Sequence, residues 1–401
     1  MKFDFHKKTL KNGMVALFEK RNVPVVSVAF AVRNGGINEA LHEKGISHFI
    51  EHMLYKGTPT RSAKKISEEI EKNGGVLNGF TDEMVTAYWC KMPSKHLNIA
   101  LNVLGDMVKN PLFDEKEFEK ERKVIFEEIK MRKDNPGIHA LDKIQELLYE
   151  KPLGSQIIGT YESMNSIKRD YMLKKFKEIY QPNNMILCVV GDANFDEIVE
   201  FAEKNFGNGS GKVPKFEVKI KNESETEKRK GIDQSVLVFA YHVPLHEDKK
   251  SHVAEVLSTL MAEGLSSRLF TEIREKRNLA YSIGGGANIN KDFSYNYIKI
   301  GTTKENIDKV KSLILEEFKK VAKSLDEKEL NQIKEQIVGN ENISMEDSQN
   351  QMVCLLSNEI DGKAEDFYDF EKNIRGVKLE DVKKMAGNVE KAYSFFALVP
   401  E

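Results

Sequence analysis

Cysteine is scarce. Three occur in 401 residues, Cys90, Cys188 and Cys354, roughly a hundred or more residues apart. The odd count, the spacing and the lack of any CxxC pair exclude a disulfide framework and a thiolate metal site. Each cysteine lies in an apolar run and is expected to be a buried thiol. Long hydrophobic runs are missing too: no stretch of about 18 apolar residues occurs, so no membrane span is expected. The start, MKFDFHKKTLKNG, has neither an apolar leader core nor an Arg/Ser-rich presequence, and the expected location is the cytoplasm. Nor is there an excess of charge of one sign. Lys plus Arg number 61 against 63 Asp plus Glu, net −2, so neither nucleic acid nor an anionic membrane is expected as a partner. What is present, 40% hydrophobic and 31% charged residues, is the balance of a soluble globular protein with two or more domains.

The chain repeats itself at an interval of roughly 210 residues. VSVAFAV at 26–32 is echoed by SVLVFAY at 235–241, and both read as buried strands. NGGVLNGF at 73–80 resembles SIGGGANIN at 282–290, each just before a strand-like stretch, 85–92 and 294–301. Helical periodicity follows in both halves, through Leu97, Ala100, Leu101, Leu104 and Met107, and through Ile307, Val310, Leu313, Ile314 and Phe318. FDEKEF at 113–118 then matches LDEKEL at 325–330. A Gly-, Lys- and Glu-rich stretch separates the halves. The expected architecture is α+β: two homologous domains, 1–210 and 226–401, joined by a linker at 211–225, each a largely antiparallel sheet covered by helices.

The segment GISHFIEHMLYKGT holds His48, Glu51 and His52 in an HxxEH pattern. On a helix, His48 and His52 stand one turn apart and can share a tetrahedral Zn²⁺, with Glu51 beside them as general base toward zinc-activated water. Phe49, Ile50, Met53 and Leu54 form the expected buried flank. A catalytic zinc needs a third protein ligand. The stretch 115–132, EKEFEKERKVIFEEIKMR, has an expected apolar stripe of Phe118, Val124, Ile125 and Ile129. Glu121 and Glu128, two turns apart, fall on that stripe, whereas Glu127 turns toward solvent. Carboxylates on an apolar face need a cation or a hydrogen-bond partner, and a metal supplies one. In the second half the equivalent positions are Ile333 and Asn340, and EVLSTLM replaces HxxEH. Only the first half is therefore expected to carry the chemistry. The other histidines, His6, His42, His96, His139, His242, His246 and His252, lack such spacing and read as surface or satisfied side chains.

HFIEHMLYKGT and ERKVIFEEI resemble the signatures of the pitrilysin family, the HxxEH zinc peptidases that include insulin-degrading enzyme and the mitochondrial processing peptidase. The resemblance runs the length of the chain. It implies Glu128 as third zinc ligand and Glu121 as its supporting glutamate. GGVLNGFT at 74–81 is similar to the family's substrate-pairing edge strand, which implies substrate contacts at Asn78, Gly79 and Phe80, with Gly79 standing where the family usually has alanine. SSRLFTEIREKRNLAY is similar to the family's Arg/Tyr pair and implies that Arg274 and Tyr281 contact substrate carbonyls. By resemblance the protein is a short, half-length member. It is expected to be a zinc metalloendopeptidase and a homodimer, hydrolysing peptides or unfolded polypeptide inside a chamber. Two other readings compete: a zinc-binding processing or assembly subunit with little activity, and a zinc hydrolase of other substrates.

Overall fold

The computed structural model describes residues 4–401, so the first three residues of the N-terminal stretch read above lie outside the described residues. The chain forms two compact units. One gathers the chain up to Lys130, Gln156–Glu217 and Ser344–Phe367; the other gathers Met131–Ser155, Val218–Ile343 and Tyr368–Glu401.

The first unit is built on a six-stranded sheet of β1 (Phe5–Thr9), β2 (Val15–Lys20), β3 (Val25–Val32), β4 (Val76–Thr81), β5 (Thr86–Pro93) and β6 (Met185–Gly191). The order is β1-β2-β6-β3-β5-β4, and every neighbouring pair is antiparallel except β2 with β6. The run at 26–32 is the middle of this sheet, and its unbroken burial follows from cover on both faces. Val26, Val28, Phe30 and Val32 enter the main core, where the helix Leu97–Lys109 packs on β3 and β5. The smaller Ser27, Ala29 and Ala31 alternate onto the other face. There the helix Ser348–Asp361 lies on β3 and β6, with Ser27 Oγ 2.9 Å from Ser348 Oγ.

The second unit has a five-stranded sheet of β7 (Ser224–Arg229), β8 (Ser235–His242), β9 (Ala280–Ile289), β10 (Ser294–Thr302) and β11 (Ser394–Pro400). The order is β7-β11-β8-β10-β9, with only β7 and β11 parallel. From the parallel pair outward, β2-β6-β3-β5-β4 and β7-β11-β8-β10-β9 are the same arrangement. The repeated segments of the sequence fall on equivalent members: β3 and β8, the edges β4 and β9, then β5 and β10. The fold is the expected α+β pair of homologous domains.

One pair of equivalent helices is exchanged between the units. Pro136–Leu148 packs on β8 and β11 of the second unit, whereas Ser348–Asp361, its counterpart roughly 210 residues on, packs on the first. The stretch expected as a linker, 211–225, is irregular only in part. The Lys219 carbonyl accepts from the Glu150 backbone N–H at 2.9 Å, and the Lys221 N–H bonds the Leu148 carbonyl at 2.8 Å. Cys90 and Cys188 are buried free thiols; Cys354, expected to be buried, is half-exposed. Among the described residues no helix is long and apolar enough to cross a membrane.

Candidate metal centre

HxxEH lies on the helix Ile46–Leu54. Gly45 starts it at φ 92°, and a Cβ there would come within 2.5 Å of the Ile158 carbonyl oxygen, so glycine is required. The buried Glu39 carboxylate accepts from the backbone N–H of Gly45 at 2.8 Å and of Ser47 at 2.7 Å, satisfying open donors of the first turn. Phe49, Ile50, Met53 and Leu54 are fully buried, as the pattern predicts.

The helix Glu115–Asp134 begins with Asp114 Oδ1 accepting the N–H groups of Lys116 and Glu117 at 2.9 and 3.0 Å. Its buried stripe is Phe118, Glu121, Arg122, Ile125 and Ile129. This corrects the expected stripe: Val124 is 47% exposed, and Arg122 takes the inward place. The guanidinium is tolerated there because it donates to the carbonyls of Met164 and Ile167 and lies 4.7 Å over the Phe118 ring. Phe49 stacks on Phe118 with centroids 4.7 Å apart, locking the two helices in register.

That register brings His48, His52 and Glu128 together, with one donor atom of each inside a 4.8 Å span. The Nε2 atoms of His48 and His52 are each 3.6 Å from the same Glu128 oxygen, and the two rings are 4.5 Å apart. Donors about 2.0–2.1 Å from a tetrahedral zinc stand roughly 3.3 Å from one another, so this set needs little adjustment to hold the ion. Two imidazole nitrogens and one carboxylate oxygen are also a donor set that zinc takes in hydrolytic sites. Glu127, one residue away, is exposed.

Glu121 lies beside the cluster. One of its oxygens lies 3.1 Å from His52 Nδ1 and the other 2.6 Å from Lys56 Nζ. Burial acts to raise its pKa, but His52 and Lys56 outweigh burial and hold it below the ordinary carboxylate value. Glu51 is perturbed the other way. Burial pushes it up, against the Thr81 hydroxyl, which donates to Oε2 at 2.6 Å, and against His52.

The remaining predicted residues are spread more widely. Asn78, Gly79 and Phe80 lie on β4, the outermost strand of its sheet. Gly79 shares a strand face with Thr81 and points at Glu51, whereas Asn78 and Phe80 point the opposite way. The Asn78 side-chain oxygen accepts from the Gly79 N–H at 2.8 Å. Arg274 and Tyr281 belong to the second unit and both are exposed. Arg274 lies on a short π-helical turn, Phe270–Glu275, 4.8 Å over the Phe270 ring; Tyr281 lies on the edge strand β9. Thr81, Lys56 and Glu39 were not singled out in the sequence. The one available signal was Thr81, two residues past Gly79 on the same strand face. His139, expected to be satisfied, is buried with Nε2 2.7 Å from Glu227.

Known proteins resemble this chain along most of its length. Residues 14–161 match the family described as insulinase, peptidase family M16, and residues 166–337 match the peptidase M16 inactive domain. An uncharacterized zinc protease of Bacillus subtilis, YmxG, is 32% identical, covering 94% of this chain and 94% of its own. One of Rickettsia felis is 31% identical, covering 85% of this chain and 84% of its own. A solved protease from Helicobacter pylori shares the fold at TM-score 0.92 and 24% identity, over 99% of this chain and 100% of that one.

Proposed function

This chain belongs to the insulinase (peptidase M16) family, and from that premise we propose that it is a zinc metalloendopeptidase cleaving peptides or unfolded polypeptide segments. One observation carries the reading: His48 and His52 converge on a single Glu128 oxygen at 3.6 Å each, with Glu51 on the same helix. In this reading His48, His52 and Glu128 hold the ion. Bound there, zinc supplies Lewis acidity toward the scissile carbonyl and lowers the pKa of the attacking water. Glu51 takes that water's proton and delivers it to the leaving amine. The Thr81 hydroxyl donates to Oε2 and holds the carboxylate in place, and burial makes it a stronger base. Glu121, kept anionic beside Lys56, accepts the Nδ1 proton of His52 and so turns the Nε2 lone pair toward the metal.

Substrate contacts are part of the proposal. β4 has a neighbour on one side only, and its open edge suits an extended peptide added as a further strand past Asn78, Gly79 and Phe80. Arg274 and Tyr281 are the proposed contacts from the second half. We place the enzyme in the cytoplasm as a homodimer enclosing a chamber; the molar mass from light scattering of the purified protein tests the dimer.

The deciding experiment is cleavage of a quenched-fluorescent peptide library by wild type and Glu51→Gln, with and without a chelator. Cleavage that the chelator stops and the variant lacks supports the peptidase. One zinc per chain with no cleavage of any peptide would instead favour the weakly active subunit.

A further inference from the structure

Tyr55 follows Glu51 by four residues and ends the same helix, so the two side chains share a helix face. The Tyr55 hydroxyl is buried and makes no hydrogen bond. A buried unpaired hydroxyl destabilises the fold, a penalty phenylalanine at this position would avoid. The neighbouring Tyr88 and Tyr180 hydroxyls bond each other at 2.8 Å.

The hydroxyl occupies a particular space. A Cβ built on Gly79 would lie 2.4 Å from Tyr55 Oη and 3.1 Å from Glu51 Oε1. The phenol and the second carboxylate oxygen of Glu51 therefore border one point, which is open only because residue 79 has no side chain. The first carboxylate oxygen is already engaged by Thr81. Burial, then the charge of Glu51, push the Tyr55 phenol above its ordinary pKa, so it remains a protonated donor facing a carboxylate.

We propose that Tyr55 is a positioning residue for Glu51, its hydroxyl donating to Oε1 in the working enzyme, and that Gly79 is the residue that admits it. The carboxylate is then held by two hydroxyls, Thr81 from the strand and Tyr55 from the helix. This rests on the reading of Glu51 as the general base.

The test uses zinc-loaded full-length protein and the variants Tyr55→Phe, Gly79→Ala and the double variant. Tyr55→Phe is expected to keep one zinc per chain and an unchanged or higher Tm, and to lower kcat about tenfold at unchanged KM. Gly79→Ala is expected to lower both kcat and Tm. Added to Tyr55→Phe, it should cost less in Tm than when added to wild type, because the closest obstacle is gone; the contact with the Ala87 carbonyl at 2.9 Å keeps some of the cost. A Tyr55→Phe enzyme with wild-type kcat, when Glu51→Gln is dead, overturns the proposal, as do strictly additive Tm changes. If Glu51→Gln still cleaves, the base assignment has failed instead. A zinc-loaded crystal structure then decides the geometry without any turnover: Oη within hydrogen-bond distance of Oε1 supports the proposal, and Oη turned away overturns it.

Discussion

The two units share a strand order and part company in what their equivalent helices carry. In the first, Ile46–Leu54 presents His48, Glu51 and His52. In the second, the corresponding Ser251–Ala262 buries Val256, Leu257, Leu260 and Met261 and presents no such set. Where the first has Glu121 against His52 and Lys56, the second has Ile333 packed on its core. Where the first has Glu128, the second has Asn340. The second unit shows that this scaffold holds together without the carboxylates. Their placement beside the buried Phe118, Arg122, Ile125 and Ile129 in the first is a local departure from what folding alone favours, which is where a functional site is expected.

The comparison can be broken in order of expected effect. Glu51→Gln should reduce turnover by about 10²–10⁴-fold with zinc still bound, measured by peptide cleavage alongside metal analysis. An active variant would mean the difference between the units is not catalytic. Glu121→Gln should weaken zinc retention about 10–100-fold, and Glu128→Gln by more, measured by competition with a chelator. The control is Glu127→Gln, which should leave zinc retention unchanged; the reverse result would move the ligand to the other face of the helix. Converting the second unit is the complementary test. Ile333→Glu sets a carboxylate on a position packed against the apolar core and should cost about 1–3 kcal/mol in a urea melt.

The smallest effect concerns acid. Asp106 accepts from Thr58, Thr60 and Arg61 at 2.6, 2.7 and 2.7 Å and from Asn110 at 2.9 Å. Burial opposes its ionisation, but these donors win and hold it at about 2, below its ordinary 3.8. The folded-state value is the depressed one, so this stabilisation is fully present above about pH 4 and is lost as pH falls through 2. The Tm penalty of Asp106→Asn should therefore be constant near neutrality and shrink between pH 4 and 2. A penalty independent of pH would show that the charge contributes nothing.

Much of this site was legible because local chemistry repeats with the helix. His48, Glu51 and His52 announce themselves by spacing, and Glu128 follows from the helical face it shares with Ile125. The face itself is only partly legible: hydrophobicity points Val124 inward, yet Arg122 lies buried in its stead because carbonyls of Met164 and Ile167, some forty residues away, accept its hydrogen bonds. Thr81 and Glu39 escaped for the same reason, since their roles depend on neighbours brought together only by the fold. The sheets were legible from β3 and β8, whose apolar runs demand cover on both faces. Which helix provides that cover was not, because Pro136–Leu148 and Ser348–Asp361 carry no mark of the unit they join.

That exchange of helices bears on how the protein is made. A nascent chain that has emerged only as far as Ile343 already contains every proposed zinc-site residue, yet it lacks the helix that covers β3 and β6 and supplies Ser348 to Ser27. Completion of the first unit waits for the late segment Ser344–Phe367 to be translated, so the half that holds the proposed zinc site is completed after most of the second half has been synthesised.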